Sequence, residues 1–364
     1  MKNTFGNNIT LTIFGESHGN SVGAVIDGLA PGILVDEKFI SELLLKRRPY
    51  GEISTSRREP DNFVIESGVF EGHTTGTPVC IRIPNIDTNS KDYSATRWLA
   101  RPSHADYTAN CKYHGFEDYR GSGHFSGRVT AALVAAAGLL IPALEAKGIH
   151  IGTHIKRCGG IADRDFSDLS ADIKLLKELD FAALDSKAAE QMIARIQTAK
   201  NEGDSVGGIL ETAVTGIEAG LGEPWFDSVE SLLAHALFSI PAIKGVEFGA
   251  GFDMAELTGK TANDSFYVEN GKVQTATNNS GGINGGISNG MPLIFRCAVK
   301  PTSTIRLTQN TVNIATKENA SLASKGRHDP CIVHRARIVV DAVTALVLSD
   351  ILVGRHGTDW LGEK

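Results

Sequence analysis

What this sequence lacks bounds what it can be. Its 364 residues hold only five cysteines, Cys80, Cys111, Cys158, Cys297 and Cys331, far apart and with no CxxC pair. An odd, scattered set argues against a disulfide framework and for a reducing, cytoplasmic setting. His328 and Cys331 stand three apart, but no second close pair completes a zinc site, so no metal is expected. No apolar run of signal-peptide form follows Met1, and no segment reaches the length of a membrane span. The longest apolar stretch, 131–144, contains Gly138 and Pro142 and reads as a buried helix. There is no G-x-x-x-x-G-K-[ST] phosphate loop, no dinucleotide fingerprint, and no RRM, KH or zinc pattern. Net charge is -6, which gives no global reason to bind nucleic acid or an anionic membrane.

What is present is an ordinary globular composition, 41% hydrophobic and 21% charged, long enough for a large core. Apolar strands are expected at 9–14 and 21–27, on either side of Gly15-Glu16-Ser17-His18-Gly19. Asp36 is placed to cap a helix that ends in Lys46-Arg47-Arg48 before Pro49. Two strands fit 62–71 and 77–83, and weak periodicity makes 84–103 a long loop. Helical patterns cover 127–147, 185–199, 228–238 and 335–352. Residues 278–290 are so rich in Gly and Asn that they form either a loose surface loop or a backbone surface for close ligand approach. Gly19 to Val25 echoes Gly203 to Ile209, as a duplicated strand unit or as coincidence between glycine-rich strands. Without regular βα alternation the class is α+β, and no linker divides 1–364, which is treated as a single domain.

Chemistry concentrates where histidine or aspartate stands beside arginine and small residues. These places are 15–19, with His18; 101–106, with Arg101, His104 and Asp106; 118–128, with three glycines before a helix; and 326–331, with Asp329. Gly121, Gly123 and Gly127 would let backbone N–H groups converge on an anion at the start of that helix. Arg128 opens it, where a structural charge has little reason to be buried. Lys300-Pro301-Thr302-Ser303-Thr304 adds an ammonium and three hydroxyls, and Arg47-Arg48 and Arg57-Arg58 are two basic pairs. Each alone reads as a solvated face. Together, in an acidic chain, they suit a small and heavily anionic ligand, for which arginine's planar fork is the natural partner.

These segments, in this order and over nearly the whole chain, resemble chorismate synthases: Gly15 to Gly19, Arg47-Arg48-Pro49, Arg57 to Asp61, Gly68 to Gly72, Arg101 to Thr108, Asp118 to Arg128, Lys300 to Ile305 and Gly326 to Cys331. The resemblance implies an α+β fold with antiparallel sheets sandwiched by helices, in a cytoplasmic homotetramer. It implies a lyase that removes phosphate from 5-enolpyruvylshikimate-3-phosphate by anti 1,4-elimination, giving chorismate, the shikimate-pathway precursor of aromatic amino acids. Reduced FMN is required without net redox change, and its electrons come ultimately from NAD(P)H, through a separate reductase. By the same resemblance His18 is the acid near the leaving phosphate, His104 keeps the reduced flavin suitably protonated, and Asp329 helps flavin N5 act as the base at substrate C6. Arg47, Arg101, Ser126, Arg128 and Arg327 match substrate positions. His124, Phe125, Ser126, Pro241, Ala242, Gly286, Lys300, Pro301, Thr302, Ser303, Thr304 and Arg327 match flavin positions. No nucleic acid or membrane partner is implied.

Two departures from the family pattern stand out. Arg-Ser-Ser is common where this chain has His124-Phe125-Ser126; here Phe125 can pack while His124 donates a hydrogen bond. An arginine is common where this chain has Ile53, so Lys46 or Arg57 would have to compensate. The rival readings are a flavin reductase, which would consume NAD(P)H steadily, and an RNA-binding or structural protein.

Overall fold

A computed structural model describes residues 2–49, 51–55, 60–86, 96–323 and 329–362. Its first half begins with strands β1 (Thr4–Phe5), β2 (Thr10–Gly15) and β3 (Ser21–Asp27), then helix α1 (Glu37–Arg47) and strands β4 (Val64–Ser67) and β5 (Val79–Pro84). Alternation decides the buried face: Val22, Ala24 and Ile26 of β3 and Val79, Ile81 and Ile83 of β5 are all buried. Asp36 caps α1 by accepting from the backbone N–H groups of Lys38 and Phe39, as its side chain and position suggest. These strands form an antiparallel sheet in the order β1-β2-β3-β5-β4. Two helices follow, the short α2 (Asp106–Tyr113) and the apolar α3 (Thr130–Ala146).

The second half repeats the scheme. Strands β6 (His150–Cys158) and β7 (Ile161–Ala162) precede helices α4 (Leu169–Glu178) and α5 (Ser186–Glu202). Then come β8 (Gly208–Thr215), helix α6 (Val229–Ser239), β9 (Ile243–Phe248), β10 (Leu293–Val299), the hairpin β11 (Gln309–Asn313) and β12 (Glu318–Leu322), and the long helix α7 (Val333–His356). The second sheet runs β7-β6-β8-β10-β9 and is also antiparallel throughout. Strand for strand β2 matches β6, β3 matches β8, β4 matches β9 and β5 matches β10, with α1 matching α6 and α3 matching α7. The seven-residue echo falls at the entrance to β3 and β8, the central strand of each sheet. Topology therefore favours duplication over coincidence.

The class is α+β, and the layers are now defined. Helix α3 packs on the first sheet, α7 on the second, and the two pack on each other, so the long helices form the inner layer between two sheets. The second sheet also carries α4, which packs on β6 and β8. One continuous core runs through both halves, from Ile9 to Leu361. The stretch Gly127–Ala146 is long and apolar enough to cross a bilayer, contrary to the sequence expectation, but it is buried inside the fold as a core helix. Gly138 sits where it touches α1: a Cβ there would lie 2.5 Å from Ile40 Cγ1. Helix α7 is buried nearly all round from Val333 to Val353, with His334, Arg337, Asp341 and Asp350 enclosed among its apolar residues.

His334, in the first turn of α7, is fully enclosed: its Nε2 is 2.8 Å from Ser54 Oγ and its ring stacks on Phe181. Burial, then the nearby Arg335 charge, push its pKa down to about 4 from 6.5. The unfolded imidazole binds a proton near pH 6.5 while the folded one resists until about 4. Its contribution to stability is therefore intact above pH 6.5 and lost as pH falls toward 4, by up to about 3 kcal/mol. Denaturant unfolding across this range should show a slope that His334→Gln flattens; an identical slope in the variant would assign the acid lability to other groups.

Candidate active site

Both long inner helices begin at one cleft of about 1660 Å³. A pocket for one small molecule is usually roughly 300–1,000 Å³, so this one has room for two ligands side by side. Its lining includes His18, Arg47, Arg101, His104, His124, Phe125, Ser126, Arg128, Pro241, Ala242, Lys300 to Thr304 and Asp329. Segments far apart in sequence thus meet, as the anionic-ligand argument expected. Gly286 does not line the cleft. It lies in a hairpin turn against Glu223 and Ser228, its carbonyl accepting from Val229 N–H, so within one chain it has no part in this site. Arg327 and the pair Arg57-Arg58 lie outside the described residues.

The His18 turn links β2 to β3 and is held from several sides. Ser17 N–H donates to Gly123 O at 3.0 Å, and His124 Nδ1–H donates to Gly15 O at 2.8 Å. Asn85 Nδ2 donates to the carbonyls of Glu16 and Gly19, 2.9 Å each. Gly121 (φ 55°) lies close against the His18 ring: a Cβ there would come within 2.1 Å of Cε1 and Nδ1. Only glycine can occupy that position without moving the ring. His124 thus spends its hydrogen bond on the turn, and Phe125 packs edge-on to Tyr113 at the rim. Ser126 Oγ accepts from Arg128 N–H and caps the turn that leads into α3.

Below the turn lies a charge knot. Asp61 is 2% exposed and bonds Arg47 Nη2 at 2.7 Å through Oδ2 and Arg128 Nη1 through Oδ1, with Arg48 Nε at 3.7 Å. Arg128 also donates through Nε to Asn85 Oδ1 (2.9 Å) and through Nη2 to Pro84 O (3.2 Å). Burial opposes ionisation of Asp61, but Arg47 and Arg128 outweigh it and hold the carboxyl below its ordinary value. Arg128 is therefore a buried, anchored cation, which corrects the expectation that it stands at a helix start with no structural charge role. Ile53 is a core residue. Lys46 does not compensate at the cleft, because its ammonium donates to Lys177 O.

A second carboxylate organises the opposite wall. Asp106 receives Arg101 Nε (2.8 Å) and Nη2 (2.6 Å), and His104 Nδ1 is 3.0 Å from its Oδ1. Burial would raise its pKa, but these bonds hold it far below the carboxylate range. His104 Nδ1 also lies 3.2 Å from Arg101 Nη2, and its Nε2 lies 3.3 Å from Ser122 Oγ, so the ring is held on both nitrogens. Asp329 is engaged on both oxygens, by Thr55 N–H at 2.8 Å and Arg335 Nη1 at 2.6 Å; Arg335 Nε in turn donates to Arg47 O. Lys300 donates to Ser103 O and Ser303 Oγ; burial, then neighbouring Lys244, lower its pKa from the usual lysine value. Ala242 holds φ 78°, rare for a residue with a side chain, and its carbonyl accepts from Lys300 N–H.

Lys244 and Arg335 in the cleft wall, and Asp61 and Asn85 behind it, are residues to which the sequence assigns no role. A lone Asp after Arg-Arg-Glu-Pro carries no signal of burial, and Asn85 stood in what reads as loop.

Comparison with known proteins gives concordant matches. The family model described as chorismate synthase matches residues 9–353. A chorismate synthase of Pyrococcus abyssi is 45% identical over 348 residues, 96% of this chain and 97% of that protein. One of Dehalococcoides mccartyi is 46% identical over 354 residues, 96% of each. A crystal structure of chorismate synthase superposes with a TM-score of 0.77 at 27% identity, covering 98% of this chain and 94% of the other.

The charge knot predicts how substitutions behave. Asp61→Asn leaves buried guanidinium groups without their counter-charge and should cost about 3–5 kcal/mol. Arg128→Ala should also destabilise, by less, because Asp61 keeps Arg47. Chemical denaturation measures both; a parental midpoint for Asp61→Asn would show that the knot does not need its carboxylate.

Proposed function

The chain belongs to the chorismate synthase family, so its reaction is elimination of phosphate from 5-enolpyruvylshikimate-3-phosphate to give chorismate, and we propose how the cleft divides that work. It is a lyase of aromatic biosynthesis. The observation that carries the division of labour is the placement of cations around a cleft large enough for two ligands, in a chain of net charge -6. One end, with Arg47, Arg48, Arg128 and Arg335, faces the substrate's phosphate and carboxylates, together with Arg101 and Ser126. The other, with Lys300, Lys244, Thr302, Ser303 and Thr304 beside Pro241-Ala242, has the ammonium groups and hydroxyls that suit the phosphate tail of FMN.

The family's requirement is for reduced flavin, and the ammonium groups and hydroxyls at this end support FMN as its form. Bound there, reduced flavin supplies the electron density that eases phosphate departure and the acceptor for the hydrogen leaving C6. The protein's own groups do the rest. His18, held against Gly121, donates a proton to the departing phosphate, whose charge the arginines stabilise. His104, held by Asp106, Arg101 and Ser122, would set the protonation of a flavin bound beside it. Asp329, held by Thr55 N–H and Arg335 Nη1, would receive the proton associated with flavin N5. NAD(P)H as the ultimate electron source, a separate reductase and a cytoplasmic location complete the reading. So does a homotetramer, which the exposed aromatics Trp225, Phe226 and Phe252 support as surface that a neighbouring copy would cover.

Two outcomes test this. With oxygen excluded, chemically reduced FMN and 5-enolpyruvylshikimate-3-phosphate should give one phosphate per chorismate over many turnovers, without net flavin oxidation. Stoichiometric flavin oxidation would sink the redox-neutral reading. Asp329→Asn faces Arg335 with an uncharged amide, so some stability is lost. In the folded, liganded fraction single-turnover chorismate formation should still fall by about 10²–10⁴. A rate within a factor of about three of the parent would confine Asp329 to holding Thr55 and Arg335.

A further inference from the structure

Asn85 sits one residue past the end of β5 and is half-buried. Every polar group of its side chain is spoken for. Nδ2 has two hydrogens, and it lies 2.9 Å from Glu16 O and 2.9 Å from Gly19 O. Oδ1 lies 2.9 Å from Arg128 Nε, which can only donate. The two carbonyls and the guanidinium therefore fix which end of the amide is which, with no freedom to flip. Its backbone N–H donates to Asn20 O, so main chain and side chain together bracket the turn that carries His18.

We propose that Asn85 is a positioning residue, coupling the anchored guanidinium of Arg128 to the turn that holds His18 so that the proton donor and the anion-binding arginine keep a fixed relation. The chemistry is specific to an amide. Aspartate has the same shape and would keep the acceptor for Arg128, but it would set a carboxylate oxygen against two carbonyl oxygens. Alanine removes both connections. Asp61 fixes Arg128 from the other side, so the linkage runs from a buried carboxylate through Arg128 and Asn85 to the histidine turn. The inference rests on the roles given above to His18 and Arg128, not on their contact with one another.

Anaerobic kinetics of the whole enzyme with reduced FMN and 5-enolpyruvylshikimate-3-phosphate separate the cases. Asn85→Asp should lower kcat by about 10- to 100-fold while KM stays within about twofold, because Arg128 keeps its partner. Asn85→Ala should lower kcat and raise KM together. In a His18→Gln background Asn85→Asp should cost less than about threefold, the signature of two residues acting through one function. A kcat unchanged by Asn85→Asp, a loss confined to KM, or an equal loss with and without His18 would each overturn the proposal. Should Asn85→Asp not fold, the same cycle with Asn85→Ala decides. A parent that makes no chorismate would instead refute the functional reading, which keeps the two failures distinct.

Discussion

The Asp61 carboxylate, buried among three guanidinium groups, is the constraint on which the rest of the site depends. Arginines meant to meet a multiply charged ligand repel one another when that ligand is absent. A single buried anion offsets that repulsion, orients Arg47 and Arg128 from opposite sides, and still leaves the group with net positive charge. Asp106 does the same for Arg101 and His104 on the facing wall. The cleft is therefore preorganised by internal carboxylates, and its cations need little rearrangement when an anion enters.

Duplication explains why such a site arises at one place in the fold. In each half the connection after the fourth main strand leads into the long inner helix, so β5 leads through 85–129 to α3 and β10 leads through 300–332 to α7. Because α3 and α7 pack together between the sheets, their entry segments open on the same cleft. One supplies His104, Ser126 and Arg128, the other Lys300, Ser303 and Asp329. Two ligands with different chemistry suit a pocket whose two walls come from diverged copies of one unit.

Much of this was legible in the sequence, for physical reasons that can be named. β3 was marked by its apolar run after the Gly15–Gly19 segment, and α1 by its Asp36 cap and Pro49, all local signals. The histidine and arginine segments stood out because their residue types are costly to place without a purpose. What stayed hidden depends on contacts between distant residues. Asp61 and Arg128 are 67 positions apart, and Asn85 reaches back 69 positions to Glu16. The layer order was equally hidden, since a strand's pattern shows which face is buried but not what covers it. Gly286 illustrates the reverse case. A residue carried over from a family pattern lies, in a single chain, in another turn altogether.

Gly138 carries a consequence for how the site could be lost. It is deep in the core and touches no ligand, yet it sets how closely α1 lies against α3 by leaving Ile40 room. Arg47 is seven residues further along α1, about 10 Å at 1.5 Å per residue. The helix therefore acts as a lever arm with its fulcrum at Ile40. A methyl group added at the fulcrum displaces the guanidinium at the far end, so a packing lesion in the interior would be read at the surface as poor anion recognition.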